Sequence, residues 1–177
     1  MSVRIRPTLL DIAADVLTAD PTASLAEVAE AAGIGRTTLH KHYPTREDLL
    51  RAVGYRIIDL FDAAVETVDD GPDGGLRDLI SAMVPIGSQL TFLWRNTFFD
   101  TEPAIDQRWI ETQQRAAGVL NRSRARGVLD PQTPDWWLLE TLYSLIYVAA
   151  LSVSSGHLAP RDAPDLVLKT FLRGVQP

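Results

Sequence analysis

The chain has 177 residues, and its 17 Lys and Arg against 23 Asp and Glu give a net charge of −6. It has no cysteine, which excludes disulfides, thiolate metal sites and a cysteine nucleophile, and a hydrophobic share of 46% excludes wholesale disorder. Taken whole, the acidic balance argues against a nucleic-acid partner. No apolar run reads as a membrane span and the first residues lack the apolar core of a signal peptide, so a soluble cytoplasmic protein is expected.

Clusters of Pro and Gly punctuate the chain, and the segments between them carry helical rather than strand periodicity. The first helix is predicted over Thr8–Thr18, with Leu9, Ile12, Ala13, Val16 and Leu17 on one face. Ser24, followed three residues later by Glu27, forms a capping box that starts a short second helix. Gly33 fits the left-handed position that closes it. A third short helix begins near Gly35 and must stop before Pro44. Thr45, with Asp48 in the capping-box position, opens a long fourth helix that runs to about Val68. Short helices joined by a Gly-containing turn make a helix-turn-helix candidate, in which Ile34 and Leu39 pin the second helix to the third.

Charge read by segment reverses the first inference. Residues 1–56 hold seven basic and seven acidic side chains, sharply sorted: residues 1–10 and 31–46 contain Arg4, Arg6, Arg36, Lys41 and Arg46 and no acid. Residues 57–177 hold ten basic and sixteen acidic side chains and account for the whole deficit. On a helical wheel Arg36, Thr37, His40 and Lys41 share one side of the third helix, opposite Leu39. Short polar and cationic groups on an exposed helix suit a major groove. Arg36 is suited to a guanine, and Thr37 and Thr38 to a thymine methyl or a phosphate. Arg46 and the first N–H groups of the fourth helix are suited to a phosphate.

The stretch from Leu25 to Leu50, LAEVAEAAGIGRTTLHKHYPTREDLL, resembles the DNA-binding domain of TetR-family transcriptional regulators, as does the first helix. The resemblance covers about the first third of the chain. It implies DNA or backbone contacts at Thr38, His42, Tyr43 and Arg46. Two positions depart from the family pattern: Gly35 stands where Ser is frequent, and His40 where Tyr is usual. The set expected at DNA is therefore Arg36, Thr37, Thr38, His40, Lys41, His42, Tyr43 and Arg46.

Beyond Asp73, helices are predicted near 73–88, 89–99, 102–126, 134–155 and 162–174, with a break at Pro85. Thr133, with Pro134 in the first helical position, should open the 134–155 helix, and Gly156 should close it. That helix is apolar nearly all round, so it either fills the centre of its domain or faces a partner chain. The resemblance implies the latter: a homodimer through the last two helices, reading a palindromic operator, with a small-molecule effector bound in the C-terminal domain. Met83, Phe92, Trp94, Phe98, Trp109 and Tyr143 are the expected effector-site residues, with Gln89 and Arg95 as polar neighbours. Arg115, Arg122, Arg124 and Arg126 read as a solvated face.

The expected fold is all-α, with about nine helices, divided into a helix-turn-helix domain over 1–48 and an effector-binding and dimerisation domain over 49–177. The reading is a DNA-binding regulator, most often a repressor in this family, with no cofactor and no metal. No nucleophile elbow, zincin motif or phosphate-binding Gly loop marks an enzyme. The rival readings are a DNA-binding dimer without effector and an all-α ligand-binding protein or enzyme with a vestigial helix-turn-helix.

Overall fold

The computed structural model describes residues 8–175, apart from the side chains of Thr91, Arg95 and Val175. Arg4 and Arg6, counted above with the basic surface, and the Arg95 side chain lie outside the described residues. Among the described residues there are nine α-helices, two 3-10 turns and no strand.

Three capping boxes set the N-terminal helices. The Asp11 carboxylate accepts from the Thr8 N–H at 2.8 Å and fixes the start of α1, Leu9–Ala19. Glu27 accepts from the Ser24 N–H at 2.7 Å and starts α2, Leu25–Ala31. Asp48 accepts from the Thr45 N–H at 3.1 Å and starts α4, Arg46–Glu66. Each box satisfies donors that a helix start leaves orphaned. Between α2 and α3 (Arg36–His42) the chain turns at Gly33, φ 67°, where a β-carbon would be strained. Leu39 is fully buried and Ile34 packs against the same core, so both residues assigned to join α2 and α3 meet there.

The remaining helices are α5 (Leu76–Met83), α6 (Leu90–Arg95), α7 (Pro103–Ala125), α8 (Asp135–Ser154) and α9 (Ala163–Val175). The break expected at Pro85 takes the form of a 3-10 turn, Val84–Gln89, because proline cannot continue the α5 hydrogen-bond ladder. A second 3-10 turn, Phe99–Thr101, follows α6. The start of α8 differs from expectation: Pro134 is itself the extended N-cap, at φ −60° and ψ 143°, and Asp135 is the first helical residue. The Thr133 hydroxyl bonds Asp130 at 3.3 Å instead of capping. Asp130 organises that turn by also accepting from the Gln132 N–H at 2.9 Å.

Through Leu49, Val53, Ile57, Ile58 and Phe61, all buried, α4 forms the spine of the molecule. It packs on α1 at one end and on α5, α6 and α7 along its length. Helix α8 packs on the 84–89 turn and on α9. It has 20 residues, and an 18-residue window of it has a mean hydropathy of 1.4, long and apolar enough to cross a membrane by composition, contrary to the sequence expectation. Here one side of α8 is buried by Leu138, Leu142, Tyr143 and Ile146 in the bundle.

The basic side chains of α7 are ties rather than a solvated face. Arg115 and Arg108 both pair with the buried Asp62 of α4. Arg122 and Arg126 hold Asp70 at 3.3 and 2.9 Å, and Arg124 holds Asp135 at 2.7 Å.

Candidate functional site

The first surface is α3 and its flanks. Arg36, Thr37, Thr38, His40, Lys41 and His42 are exposed, while Leu39 alone on that helix is buried. Tyr43, half-buried, is the C-cap residue and packs against the core at the edge of this surface. The α3 N-terminus has only Gly35 as cap, with no side chain occupying its first N–H groups. A short helix anchored by one leucine and presenting hydroxyls, imidazoles and cations matches what a duplex groove accepts. Arg46 differs from the others. Its guanidinium donates to the backbone oxygens of Pro21 and Ala23, so it clamps the start of α4 to the α1–α2 loop.

The second is a cleft of about 430 Å³ between α6, the 99–101 turn and the start of α7. Its aromatic walls are Trp94, Phe99 and Trp109, and its rim carries Asp100, Glu102 and Asp106. Of the six residues expected at an effector site, Trp94 and Trp109 line this cleft. Met83, Phe92 and Tyr143 lie in the core, and Phe98 packs edge-on against Phe99 at 5.4 Å. Gln89 does not line the cleft, and its amide oxygen is buried without a partner among the described residues. Trp109 forms the inner wall and rests on Phe61 and Tyr143, each 5.7 Å away between ring centroids. Behind it the Tyr143 hydroxyl is buried without a partner among the described residues, and burial raises its pKa.

Cleft and spine are in direct contact. A β-carbon on Gly54 of α4 would stand 2.7 Å from the Phe99 ring and 3.2 Å from Ile105, both of which line the cleft. Glu102 accepts two hydrogen bonds from Arg51 of α4, from Nε and Nη2, each 2.9 Å long. The Arg51 side chain holds the Glu102 carboxyl below its ordinary range. The same guanidinium lies 5.6 Å from the centroid of the Phe98 ring and 3.3 Å from an Asp48 oxygen. Further along, Asp62 accepts from Thr112 at 2.8 Å as well as from Arg115. Burial alone would raise its pKa, but the Arg115 and Thr112 hydrogen bonds and the Arg108 charge outweigh it and lower the value.

The sequence reading overlooked the acidic rim and Arg51. The signal was present as three carboxylates within seven residues, Asp100 to Asp106, directly after an aromatic run. Asp62 had a signal too, as an acid on the apolar stripe of α4 beside Ile58 and Phe61.

An all-helical chain with an exposed, acid-free recognition helix and a separate aromatic cleft has the anatomy of a helix-turn-helix regulator. Residues 9–53 match the model of the bacterial regulatory proteins of the tetR family. Over 176 residues the chain is 31% identical to the HTH-type transcriptional repressor LfrR of Mycolicibacterium smegmatis, covering 97% of this chain and 90% of LfrR. It is 25% identical over 160 residues to the HTH-type transcriptional regulator NfxB of Pseudomonas aeruginosa, covering 87% and 85% of the two chains. The crystal structure of LfrR from Mycobacterium smegmatis in complex with proflavine superposes with a TM-score of 0.80 at 28% identity, over 96% of this chain and 94% of that one. The chain belongs to the TetR family of transcriptional regulators, and it is a DNA-binding protein of that family.

Proposed function

We propose that this regulator is a homodimeric repressor that leaves a palindromic operator when a flat, cationic aromatic compound occupies the cleft. The observation that carries the reading is the cleft itself, in which three aromatic side chains and three carboxylates meet in about 430 Å³. Aromatic faces stack a planar ring system, and carboxylates in a partly desolvated cleft favour a positive charge. The LfrR relative was crystallised with proflavine, a flat cationic aminoacridine, which agrees with that chemistry.

On this reading residues 1–48 form the reading head and 49–177 the effector and dimer domain, acting on DNA in the cytoplasm. Arg36, Thr37, Thr38, His40, Lys41, His42 and Tyr43 contact the duplex, and Arg46 supports them from the α1–α2 loop. Dimerisation uses the outer faces of α8 and α9, where Trp137, Val148, Leu151 and Leu166 are each about half exposed. Two copies are needed because a single recognition helix makes too few contacts for a specific site.

The test is proflavine titration of the purified full-length protein, followed by quenching of its tryptophan fluorescence. Saturable binding is expected, weakened about tenfold in Asp106→Asn and in Trp94→Ala. Binding that neither substitution changes would place the ligand elsewhere. The operator follows from selection of genomic fragments by the same protein, with proflavine expected to lower the yield of recovered fragments.

A further inference from the structure

One side chain belongs to both the cleft and the helix that carries the reading head. Glu102 lines the cleft and is the N-cap residue of α7. Its two oxygens are both engaged by the Arg51 fork, in the geometry that gives the strongest charge-assisted pairing. Arg51 stands five residues into α4, about 7.5 Å along the axis from its first residue. That first turn is separated from Tyr43, the C-cap of the recognition helix, only by Pro44 and the cap residue Thr45.

We propose that Glu102 is a shared carboxylate in an effector-operated switch, which a cationic ligand in the cleft takes from Arg51, releasing the N-terminal end of α4. The proposal rests on the cleft being the effector site. One carboxylate balances one cation. A ligand cation arriving at Glu102 also stands within a few ångströms of the Arg51 charge, and the repulsion between them favours Arg51 moving off. A neutral ligand of the same shape has no such effect, so the signal is the charge of the effector rather than its bulk.

Arg51 has a second partner ready. Asp48 is 3.3 Å from Nη1, one helical turn back. Asp48 is also the acid of the α4 capping box, accepting from both the N–H and the hydroxyl of Thr45. Transfer of Arg51 from Glu102 to Asp48 therefore shifts charge from the effector cleft onto the cap next to the reading head. The Phe98 ring, under the guanidinium in its present position, loses that contact in the same movement. Differential affinity of the ligand for the two arrangements is all that such a switch requires, and by linkage operator binding weakens the ligand by the same factor.

The experiment measures proflavine affinity, with acridine as the uncharged tricycle at neutral pH, on the full-length protein and on Arg51→Met, Glu102→Gln, the double variant and Asp106→Asn. Circular dichroism melting accompanies each to establish that it is folded. Arg51→Met should bind proflavine about fivefold or more tightly, because Glu102 no longer has to be surrendered. Glu102→Gln should weaken proflavine about tenfold and leave acridine unchanged. In the Glu102→Gln background, Arg51→Met should tighten proflavine less than it does in the wild type, because only the repulsion by the Arg51 charge is then removed. Hydrogen exchange in residues 46–56 should quicken on proflavine binding in the wild type and not in Arg51→Met. If Asp106→Asn weakens proflavine while Arg51→Met leaves its affinity unchanged or lower, the cleft reading stands and the switch is overturned. Absence of proflavine binding by the wild type overturns both. Should Arg51→Met fail to fold, Arg51→Gln takes its place in the same comparison, with the same outcomes.

Discussion

At the scale of single residues, the reading head separates side chains that face outward from those that hold the head together. Arg36 is exposed on the first turn of α3 and has no intramolecular partner among the described residues. Arg36→Ala is expected to relax base preference at one operator position, at a cost of about 1–3 kcal/mol. Arg46 already donates to the oxygens of Pro21 and Ala23. Arg46→Ala should lower affinity for all sequences alike and destabilise the head by about 1 kcal/mol, since two carbonyls lose a charged donor. Quantitative binding to a panel of single-base operator variants, together with thermal melts, separates the two. A change of base preference in Arg46→Ala would contradict its role as a clamp.

Between elements, α4 and α7 are joined by charge as well as by packing. Asp62 on α4 is buried and meets Arg108, Arg115 and Thr112 of α7. Because its folded pKa is lowered, the contribution is fully present above the ordinary aspartate value of 3.8 and is lost as pH falls through the lower folded value. Asp62→Asn should therefore destabilise the protein at neutral pH by about 1–3 kcal/mol. It should also flatten the acid limb of the stability curve, measured by urea unfolding between pH 7 and pH 3. An unchanged acid limb would mean that other carboxylates govern it. The same element pair meets at Gly54 and Arg51, so the buried Asp62 tie and the proposed switch share one helix–helix contact.

At the scale of the whole molecule, most of the large exposed apolar side chains among the described residues lie on α8 and α9, with Trp94 at the cleft and Ile110 on α7 as the others. Trp136 is 64% exposed, and Trp137, Val148, Leu151 and Leu166 lie close to half. Ser144 of α8 and Ser155, its C-cap residue, lie on the same side, small enough for a partner helix to approach. Leu151→Asp is expected to convert the dimer to a monomer in sedimentation analysis and to abolish specific operator binding while leaving proflavine binding in place. A monomeric wild type would remove the basis for a palindromic operator. On the proposed reading, the net charge of −6, carried by the body, favours approach of the acid-free surface of α3 to the duplex while the rest of the molecule repels it.

Local chemistry made the head legible from the sequence. Ser24 with Glu27, Gly33, Thr45 with Asp48 and the buried Leu39 each act within one helix turn or one tight turn, so their spacing alone defined α2, α3 and the start of α4. The same holds for the break at Pro85. The cleft was not legible, because its walls come from separate elements. Trp94 and Trp109 line it, but Met83, Phe92 and Tyr143 carry the same composition signal and are core. Periodicity registers that a ring is apolar, not which side of the bundle it faces. Arg51 and Glu102 are 51 positions apart, and only the packing of α7 across α4 brings the fork onto the carboxylate. By itself the sequence determined the class of protein and the exposed, acid-free helix α3, because those depend on short-range hydrogen bonds and turn geometry. The tertiary structure decided where the aromatic cleft lies and which helix it touches, because those depend on contacts between residues far apart in the chain.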